Sequence, residues 1–358
     1  MLSHKTPRVL FILKRREDYH ECQSYSHTGL STGLLNSATF VHNMLLKNNI
    51  ESKIAVVIDN NCIDKEVNLF KPTHVIIEAL WVVPSKFEVL TKLHPNVKWI
   101  VRFHRETPFI ANEGIAMKWS LEYAKYNNVY LGINAPRYLN DVKIILAAAG
   151  LDDCDISDKV IYLPNYYPIS DKTELPKRQS VNKTHVNVGC FGAIRPLKNQ
   201  LLQAIAALRF ADEIGKVLHF HINVNRVEQK GDSILKNLIS LFEGIAENDH
   251  KLVVHEWAPH EDFIKVLRKM DIGLQVSFTE TFNIVAADMV TSGVPIVISK
   301  EIPWAEDGTA DPTNSLDVAN ALIHAWRYQS SNVMTNVHGL RKYIDESEQH
   351  WVNYLSAC

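Results

Sequence analysis

Apolar residues along the chain alternate between short runs of strand length and longer stretches with helical spacing. The first run is RVLFILK at 8–14, and similar β-rich runs follow at 53–58, 73–78, 97–103, 129–133 and 160–163. Segments with helical spacing lie between them, including 34–47, 84–93, 114–126 and 136–149. Strands that alternate with helices predict a parallel sheet covered on both faces.

A second alternating series follows a polar break. The first series ends at LPNYYP, and residues 169–183 are polar and charged without an apolar period, which indicates a linker. Later strands are predicted at 185–191, 217–224, 252–255, 272–276 and 294–299, and helices at 197–212, 233–247, 260–270, 283–292, 315–328 and about 339–355. We therefore predict an N-terminal Rossmann-like domain over 1–168, a linker over 169–184, a second Rossmann-like domain over 185–335 and a terminal helix over 336–358.

The stretch from Asp271 to Lys300 has the order strand, loop, helix, strand. Its loop carries Glu280 and its helix carries Asp288, so on an ideal helix the two lie roughly 80° apart around the axis and roughly 12 Å along it. Two carboxylates at this spacing can face one cleft, and the adjacent helix N-terminus offers unpaired N–H groups that suit a phosphate. A βαβ unit with ordinary solvated acids is the alternative.

This stretch resembles the C-terminal signature of glycosyltransferase family 4, E-G-F-G-x-x-x-x-E followed by A-x-G-x-P-V-V. Here Glu280-Thr281-Phe282-Asn283 is followed by Asp288 and by SGVPIV at 292–297, so that an Asn replaces the second Gly and an Asp replaces the second Glu. The resemblance implies an α/β protein of GT-B fold, with two Rossmann-like domains whose parallel sheets face across a cleft. It also implies that the terminal helix crosses back to the first domain.

The resemblance assigns roles in binding a nucleotide-sugar donor. Glu280 would act in catalysis by holding the hydroxyls of the donor sugar. The backbone N–H groups of Phe282 and Asn283 would meet the β-phosphate, and Asp288 would hold the ribose.

A second motif, VGCFGAIRPLKN at 188–199, resembles the family's F-x-G-R-x-x-x-x-K, whose Arg and Lys grip the diphosphate. Arg195 and Lys198 are the candidates here, although Ala193 stands at the usual Arg position. A guanidinium and an ammonium suit a pyrophosphate leaving group, and a solvent-exposed basic helix start is the alternative.

Three further sites are suggested more weakly by the resemblance. The loop with Gly29, Ser31 and Gly33 resembles the Gly-rich loop opposite the donor, where glycine lets the backbone approach a ligand. His104, after the fourth strand, would touch the donor sugar or orient the acceptor hydroxyl as a catalytic residue. Trp257 would frame the nucleotide base, with a place in the core as the alternative.

Charge and composition limit the partners. The chain has 38 Lys and Arg against 40 Asp and Glu, which gives no general attraction to polyanions. Residues 1–125 nevertheless hold 16 Lys and Arg against 12 Asp and Glu. Arg15, Arg16 and Arg105, with Arg102 nearby, suggest an anionic acceptor such as a glycan, a lipid-linked sugar or a modified base in DNA. A solvated loop is the alternative.

Metals, membranes and disulfides are not indicated. Asp153-Cys154-Asp155 matches the metal-binding D-x-D pattern, but it is predicted to lie in a polar loop beside the linker, far from the donor motifs, so we expect no metal. The five scattered cysteines favour a reducing compartment, and no apolar run is long enough to span a membrane, so we expect a cytoplasmic protein.

Taken together, the residues and the resemblance favour a retaining, metal-independent glycosyltransferase. It would move a hexose or pentose from a UDP- or GDP-sugar to an acceptor hydroxyl, with the nucleotide-sugar as co-substrate and no other cofactor. A non-catalytic sugar-nucleotide-binding protein and a sugar-nucleotide epimerase of the same fold are the alternatives.

Overall fold

The structure of the protein is a computed structural model that describes residues 6–15, 32–169, 184–224 and 226–356 of the 358-residue chain. The chain divides into two compact units. Unit 1 holds the chain up to Pro168 together with residues from Ile344 onward, and unit 2 spans Ile169–Tyr343.

Unit 1 contains a six-stranded parallel sheet in the order β2-β1-β3-β4-β5-β6. Its strands are β1 (Arg8–Lys14), β2 (Glu51–Val57), β3 (His74–Glu78), β4 (Lys98–Phe103), β5 (Val129–Ile133) and β6 (Val160–Tyr162). Its helices are α1 (Thr32–Lys47), α2 (Ile63–Phe70), α3 (Lys86–Leu93), α4 (Thr107–Ile110), α5 (Ala116–Tyr123), α6 (Pro136–Ala148) and α7 (Asp153–Lys159). The central strand β3 is buried at every position, as expected for a parallel sheet covered on both faces.

Unit 2 contains a second six-stranded parallel sheet, in the order β12-β11-β10-β7-β8-β9. Its strands are β7 (His185–Gly189), β8 (Val217–Asn223), β9 (Lys251–His255), β10 (Ile272–Gln275), β11 (Ile296–Ser299) and β12 (Thr309–Ala310). Its helices are α8 (Gln200–Glu213), α9 (Asp232–Gly244), α10 (His260–Leu267), α11 (Ile284–Thr291), α12 (Ser315–Arg327) and the start of α13 (Gln329–Ser356). The prediction of two parallel α/β domains is confirmed.

Both sheets contain a place where the direction of chain progression reverses. In unit 1 this is the boundary between β1 and β3, and in unit 2 it is the boundary between β7 and β10. Loops that leave the carboxyl ends of such strand pairs diverge to opposite faces of the sheet, which opens a crevice where ligands bind. The two reversals therefore mark the edges at which functional residues are to be sought.

Helix α13 begins about ten residues earlier than the sequence pattern predicts, at Gln329. Its first turns are held by buried asparagines that an apolar pattern cannot reveal. The Asn332 side chain receives a hydrogen bond from the Ile296 amide at 2.8 Å and donates to the Ile296 carbonyl at 3.1 Å. Near the other end, Trp351 is buried and donates to the Pro164 carbonyl at 2.9 Å, so the helix ends inside unit 1.

Two local predictions are wrong. Asp153-Cys154-Asp155 is not in a loop but in the first turn of α7, where the Asp152 side chain caps the helix by accepting from the Asp155 amide at 2.8 Å. Gly33 is likewise not in the loop before α1, because that helix starts at Thr32. Gly29 and Ser31 lie outside the described residues.

Candidate functional site

The candidate site of unit 2 lies where the loops after β7 and β10 leave the sheet. The loop after β7 covers residues 190–199, and the loop after β10 covers 276–283. They contact each other directly, because the Phe278 amide donates to the Leu197 carbonyl at 3.0 Å. Both motifs found in the sequence therefore occur at one reversal of the sheet.

The loop after β7 has a fixed backbone. Ile194 forms a parallel bridge to Val227, in the loop after β8, and a Cβ on Gly231 would lie 2.1 Å from the Ile194 carbonyl oxygen. A 3-10 turn over Pro196–Lys198 ends at Asn199, which has a left-handed backbone and donates to the Pro312 carbonyl at 2.7 Å. Lys198 thus lies in a turn whose two flanks, at Ile194 and Asn199, are held by contacts with other loops.

Lys198 and Glu280 form an ion pair across the two loops. Lys198 keeps 14% of its side chain exposed and Glu280 keeps 9%. The same Glu280 oxygen accepts from the Asn283 amide group at 3.1 Å. The carboxylate is therefore held by two donors, and each member of the ion pair keeps a small part of its side chain exposed.

Asn283 fits the position where the family signature has glycine. Its φ of +63° is in the left-handed region that favours glycine, and asparagine is among the side chains that tolerate it best. Its side chain also caps α11 by accepting from the Ala286 amide at 3.0 Å, and it donates to Gln275 at 2.9 Å. The substitution keeps the backbone shape and adds contacts that fix the loop.

Arg195 belongs to a second charged group that sequence reasoning found only in part. Its guanidinium lies 3.5 Å from a Glu228 oxygen, and Arg226 donates to the other Glu228 oxygen at 2.6 Å. Burial lowers the pKa of Arg195, while Glu280 and Glu228 act to raise it. The Arg226 guanidinium stacks over the half-buried Trp257 ring at 5.5 Å.

Glu228 and Arg226 carried no motif, and the only sequence signal was the alternating charge of R-V-E after β8. The structure thus links Arg195 and Arg226 through Glu228. Glu280 interacts with both Lys198 and Arg195.

Asp288 is deeply buried on α11 and is covered by His260 from α10. The His260 Nε2 atom lies 2.8 Å from the carboxylate, and the exposed side-chain fractions are 35% for His260 and 2% for Asp288. The hydrogen bond to Asp288 raises the pKa of His260, burial opposes this, and the charges of Asp288 and Glu261 add to it. Sequence reasoning missed His260, although it stands three residues after Trp257.

Phe282 has its ring in the core of unit 2. The ring packs against Trp304 and Tyr343, and the Phe282 carbonyl accepts from the Trp304 indole at 2.8 Å. These contacts hold the start of the loop segment before α11. The roles of its amide and of the Asn283 amide toward a phosphate stay predictions.

In unit 1, His104 is paired with the buried Glu78, at the ends of β4 and β3. Arg102 holds Glu78 at 3.1 Å and donates to the carbonyls of Leu163 and Pro164 at 3.1 and 2.9 Å. Burial acts to raise the pKa of Glu78, but the charges of Arg102 and His104 outweigh it and the pKa is lowered. Burial lowers the pKa of His104, and Glu78 opposes this.

The cations predicted on the acceptor side have different surroundings. Arg102 is fully buried, so the expectation that it faces an acceptor is wrong. Arg105 forms an ion pair with Glu113 and lies 4.5 Å from the centre of the Phe109 ring. Arg15 is exposed at the end of β1, whereas Arg16 lies outside the described residues.

Within the described ranges, no group of three or more His, Cys, Asp or Glu side chains is arranged to hold a metal ion. Over the same part of the chain, no helix is both long and apolar enough to cross a bilayer.

Solved structures of other proteins are similar to this chain over nearly its whole length. Anabaena HepE in complex with UDP and glucose shares 11% identity at a TM-score of 0.61, with 98% of this chain and 100% of that chain covered. A UDP-forming α,α-trehalose-phosphate synthase from Burkholderia xenovorans shares 11% identity at a TM-score of 0.64, with 98% and 99% covered. The N-terminal domain of Candida albicans trehalose-6-phosphate phosphatase shares 10% identity at 0.67, with 99% and 97% covered.

No protein-family model and no curated protein matches the sequence. Similarity to solved structures at about 10% identity concerns architecture, and here it extends over both sheets and their helices. The chain therefore has the GT-B fold, the architecture of glycosyltransferases such as those found among these structures.

Proposed function

We propose that this protein is a glycosyltransferase that takes its sugar from a nucleoside-diphosphate donor bound at the carboxyl end of the unit 2 sheet. The observation that carries the proposal is the cluster of Lys198, Arg195 and Arg226 beside Glu280 at the β7/β10 reversal. Cations that converge beside a helix N-terminus suit a diphosphate, because each contact is charge-assisted.

The same residues suggest how the reaction proceeds. An acceptor hydroxyl oxygen bonds to the anomeric carbon while the bond from that carbon to the diphosphate breaks, and the hydroxyl proton passes to the leaving phosphate. Lys198 and Arg195 stabilise the charge that develops on the diphosphate. Glu280, fixed by Lys198 and Asn283, holds the sugar hydroxyls. The acceptor attacks the face of the sugar that the diphosphate leaves, so the configuration is retained without a covalent intermediate on an enzyme carboxylate. This front-face course rests on the resemblance to family 4.

The donor nucleotide is proposed to be a uridine diphosphate. HepE is described in complex with UDP and with UDP-glucose, and the synthase from Burkholderia xenovorans is described as UDP-forming. The half-buried Trp257, with Arg226 stacked on it, is the proposed base-framing residue. The free cysteines Cys62, Cys154 and Cys190 suit a reducing compartment such as the cytoplasm.

The decisive experiment compares a nucleoside with its diphosphate by calorimetry. Lys198→Ala should weaken the affinity for UDP by about tenfold or more. The affinity for uridine should stay within about twofold of the wild-type value, because the proposed contact of the ammonium is with the phosphates alone. Lys236→Ala, an exposed lysine on α9, is the matched control. Equal losses for UDP and uridine in Lys198→Ala would refute the assignment.

Metal independence is part of the proposal. The cations and the α11 N-terminus supply the charge stabilisation that a divalent ion provides elsewhere. Turnover of UDP-glucose should persist in excess chelator. Complete loss in chelator that magnesium or manganese restores would contradict this.

The acceptor is proposed to bind at the β1/β3 reversal of unit 1, near Arg15 and His104. An anionic glycan, a lipid-linked sugar or a modified DNA base would suit the cations there. Replacing Arg15 and Arg16 together by Ala should raise the acceptor KM and leave UDP affinity unchanged. Unchanged acceptor kinetics would remove this loop from the site, and salt-insensitive binding would exclude DNA.

A non-catalytic sugar-nucleotide-binding protein is the second candidate. Two observations favour it: Ala193 stands where the family has Arg, and Asp288 is buried beneath His260. Mass spectrometry of UDP-glucose incubated with the protein and a panel of glycan acceptors separates the two, because an enzyme releases UDP and forms a glycosylated acceptor, whereas a binding protein leaves donor and acceptors intact.

A further inference from the structure

A cavity of about 600 Å³ lies at the amino edge of the unit 2 sheet. The end of α8, the start of β8 and the segment between α9 and β9 form its walls. All strands of this sheet are parallel, so this edge is opposite the carboxyl edge, where the loops with Lys198 and Glu280 leave the sheet. The volume falls within the range of ligand pockets, about 300–1,000 Å³. The cavity is therefore a second place in unit 2 where a ligand can bind.

His250 is the most enclosed polar side chain of this cavity for which the structure defines a tautomer. It keeps 10% of its side chain exposed, and its Nδ1 atom accepts a hydrogen bond from the Leu218 amide at 2.9 Å. Because a backbone amide only donates, the hydrogen of the neutral ring is on Nε2. Among the described residues Nε2 has no hydrogen-bond partner, and it is not one of the buried polar atoms that lack a partner, so solvent reaches it. His250 thus presents a fixed N–H donor to the cavity.

An acceptor lies beside this donor. An oxygen of Asp212, in the last turn of α8, is 3.7 Å from the His250 Nε2 atom, which is longer than a direct hydrogen bond. Asp212 lines the same cavity and keeps 74% of its side chain exposed. Two polar groups at this distance suit a third group that bridges them. A hydroxyl can do so, because it accepts from the imidazole and donates to the carboxylate at the same time.

The charges around the cavity favour a ligand without net charge. Asp212 and Lys216 both line it, and the Lys216 ammonium lies 5.8 Å from the centre of the Trp326 ring. Gly215 and Ile245 line it just beyond the ends of α8 and α9, where helix carbonyls carry partial negative charge. The carboxylate and the two helix ends disfavour an anion, and the ammonium disfavours a cation.

Apolar side chains supply much of the remaining lining. Leu208 and Ile245 pack against the core of unit 2 and stay partly exposed, and Val217 at the start of β8 is also partly exposed. A pocket with apolar walls and a few convergent polar groups orients its ligand through the polar groups. A sugar ring matches this lining, since it carries C–H groups on its faces and hydroxyls around its rim.

We propose that this cavity binds a neutral saccharide, with a sugar hydroxyl between the His250 Nε2 atom and the Asp212 carboxylate. The cavity shares no residue with the proposed donor site, so it is a separate saccharide site and not a part of the first. Binding there needs no nucleoside diphosphate and is therefore independent of the outcome for the donor site. A glycan held there would be anchored to unit 2 at the edge away from the transfer reaction.

The test titrates the wild-type protein with neutral trisaccharides of glucose, galactose, mannose and N-acetylglucosamine, and follows isotope-labelled histidine rings by NMR. At least one trisaccharide should bind with a Kd below about 10 mM and shift the ring signal of His250. That signal is identified as the one missing from His250→Asn. In this variant the side-chain oxygen of asparagine can replace Nδ1 as the acceptor for the Leu218 amide, but nothing replaces the Nε2–H donor.

Two variants and a matched control measure the contribution of the bridge. The affinity for the trisaccharide should fall by about fivefold or more in His250→Asn and in Asp212→Ala, because each removes one of the two partners of the hydroxyl. Glu213→Ala removes the next exposed acid of α8, which does not line the cavity, and should stay within about twofold of the wild type.

Four results would overturn the assignment. They are the absence of binding by every trisaccharide up to about 10 mM, an unchanged affinity in an Asp212→Ala protein that is folded by circular dichroism, displacement of the trisaccharide by UDP, and tighter binding of inorganic phosphate in the cavity. Displacement by UDP would place the saccharide in the donor site. A protein that binds the trisaccharide at His250 but does not bind UDP would keep this site and refute the proposed function.

Discussion

The two sheet reversals each contain a buried glutamate paired with a cation, and the two pairs differ in what else the cation touches. Around Glu78, Arg102 is fully buried and uses its guanidinium on Glu78, on two backbone carbonyls and on Asn165 at 3.0 Å. Around Glu280, Lys198 keeps 14% of its side chain exposed. The first pair is enclosed by its own unit, whereas the second is partly open to solvent. An enclosed pair can only stabilise its unit, whereas a partly exposed pair can also take the binding role proposed for Lys198.

The largest effect should come from removing the enclosed cation. Arg102→Met leaves Glu78 buried without its main partner and should lower the free energy of unfolding by about 3–5 kcal/mol. Lys198→Met should cost about 1 kcal/mol, because Glu280 keeps Asn283 and the nearby charge of Arg195. Urea unfolding of both variants measures the difference, and equal losses would show that the two pairs are energetically alike.

An intermediate effect on stability should follow from replacing Asn283, at the end of the loop after β10. Asn283→Ala loses the α11 cap and places a Cβ residue without local hydrogen bonds at φ +63°, so it should cost about 2–3 kcal/mol. Asn283→Gly introduces the glycine of the signature that this stretch resembles and relieves the strain, so the cost should be about 1 kcal/mol or less. Thermal unfolding provides the comparison. A glycine variant that is less stable than the alanine variant would contradict the role of the left-handed backbone.

Lowering the pH should destabilise each unit through one buried histidine. Burial lowers the pKa of His74 in unit 1 to about 4 and that of His221 in unit 2 to about 3, where His255, His219 and His185 add to the effect. Below the unfolded pKa of about 6.5, the unfolded chain takes up protons that the folded chain refuses. The free energy of unfolding should therefore decrease as the pH is lowered below about 6.5, by up to about 1.4 kcal/mol per pH unit for each histidine.

The variant His221→Gln should reduce the slope of the unfolding free energy against pH, because unfolding then takes up as much as one proton fewer. His324→Gln serves as the control on the exposed surface of the same unit. Unfolding free energies measured from pH 7 to pH 4.5 give the slopes. If the His221→Gln slope equals that of the wild type, this histidine is not the group that takes up the proton.

The smallest effect should come from the pair of His260 and Asp288 between α10 and α11. The pKa of His260 is raised by Asp288, so the stability that the pair adds is complete below about pH 6.5 and is lost as the pH rises through the folded pKa. Because His260 is partly exposed, His260→Asn should cost less than about 1 kcal/mol at low pH and almost nothing at high pH. A cost that grows with pH would have the wrong sign for an ion pair.

The sequence revealed the alternation of strands and helices because both sheets are buried on two faces, where apolar runs such as those of β1 and β3 are unambiguous. It also singled out Arg195, Lys198, Glu280 and Asp288 as candidates, since their spacing resembles a known signature, and the structure pairs two of them, Lys198 and Glu280. Features that depend on polar contacts were not predicted from the sequence. Helix α7 buries only Ile156, so no apolar period showed. The covering of Asp288 by His260 depends on packing between two helices, and the two residues are 28 positions apart in sequence, which local spacing cannot express.

Helix α13 makes unit 1 discontinuous in the chain, and this sets an order for folding. Unit 1 receives Trp351, whose ring lies 6.1 Å from that of Phe11, only when the residues that follow unit 2 are made. Unit 2 is complete once the chain reaches Tyr343. During synthesis from the N-terminus, the second unit can therefore close its core while the first still lacks a piece of its own. A fragment that stops at Pro168 would expose the surface that Trp351 and Leu355 normally cover, whereas unit 2 lies within one continuous segment of the chain.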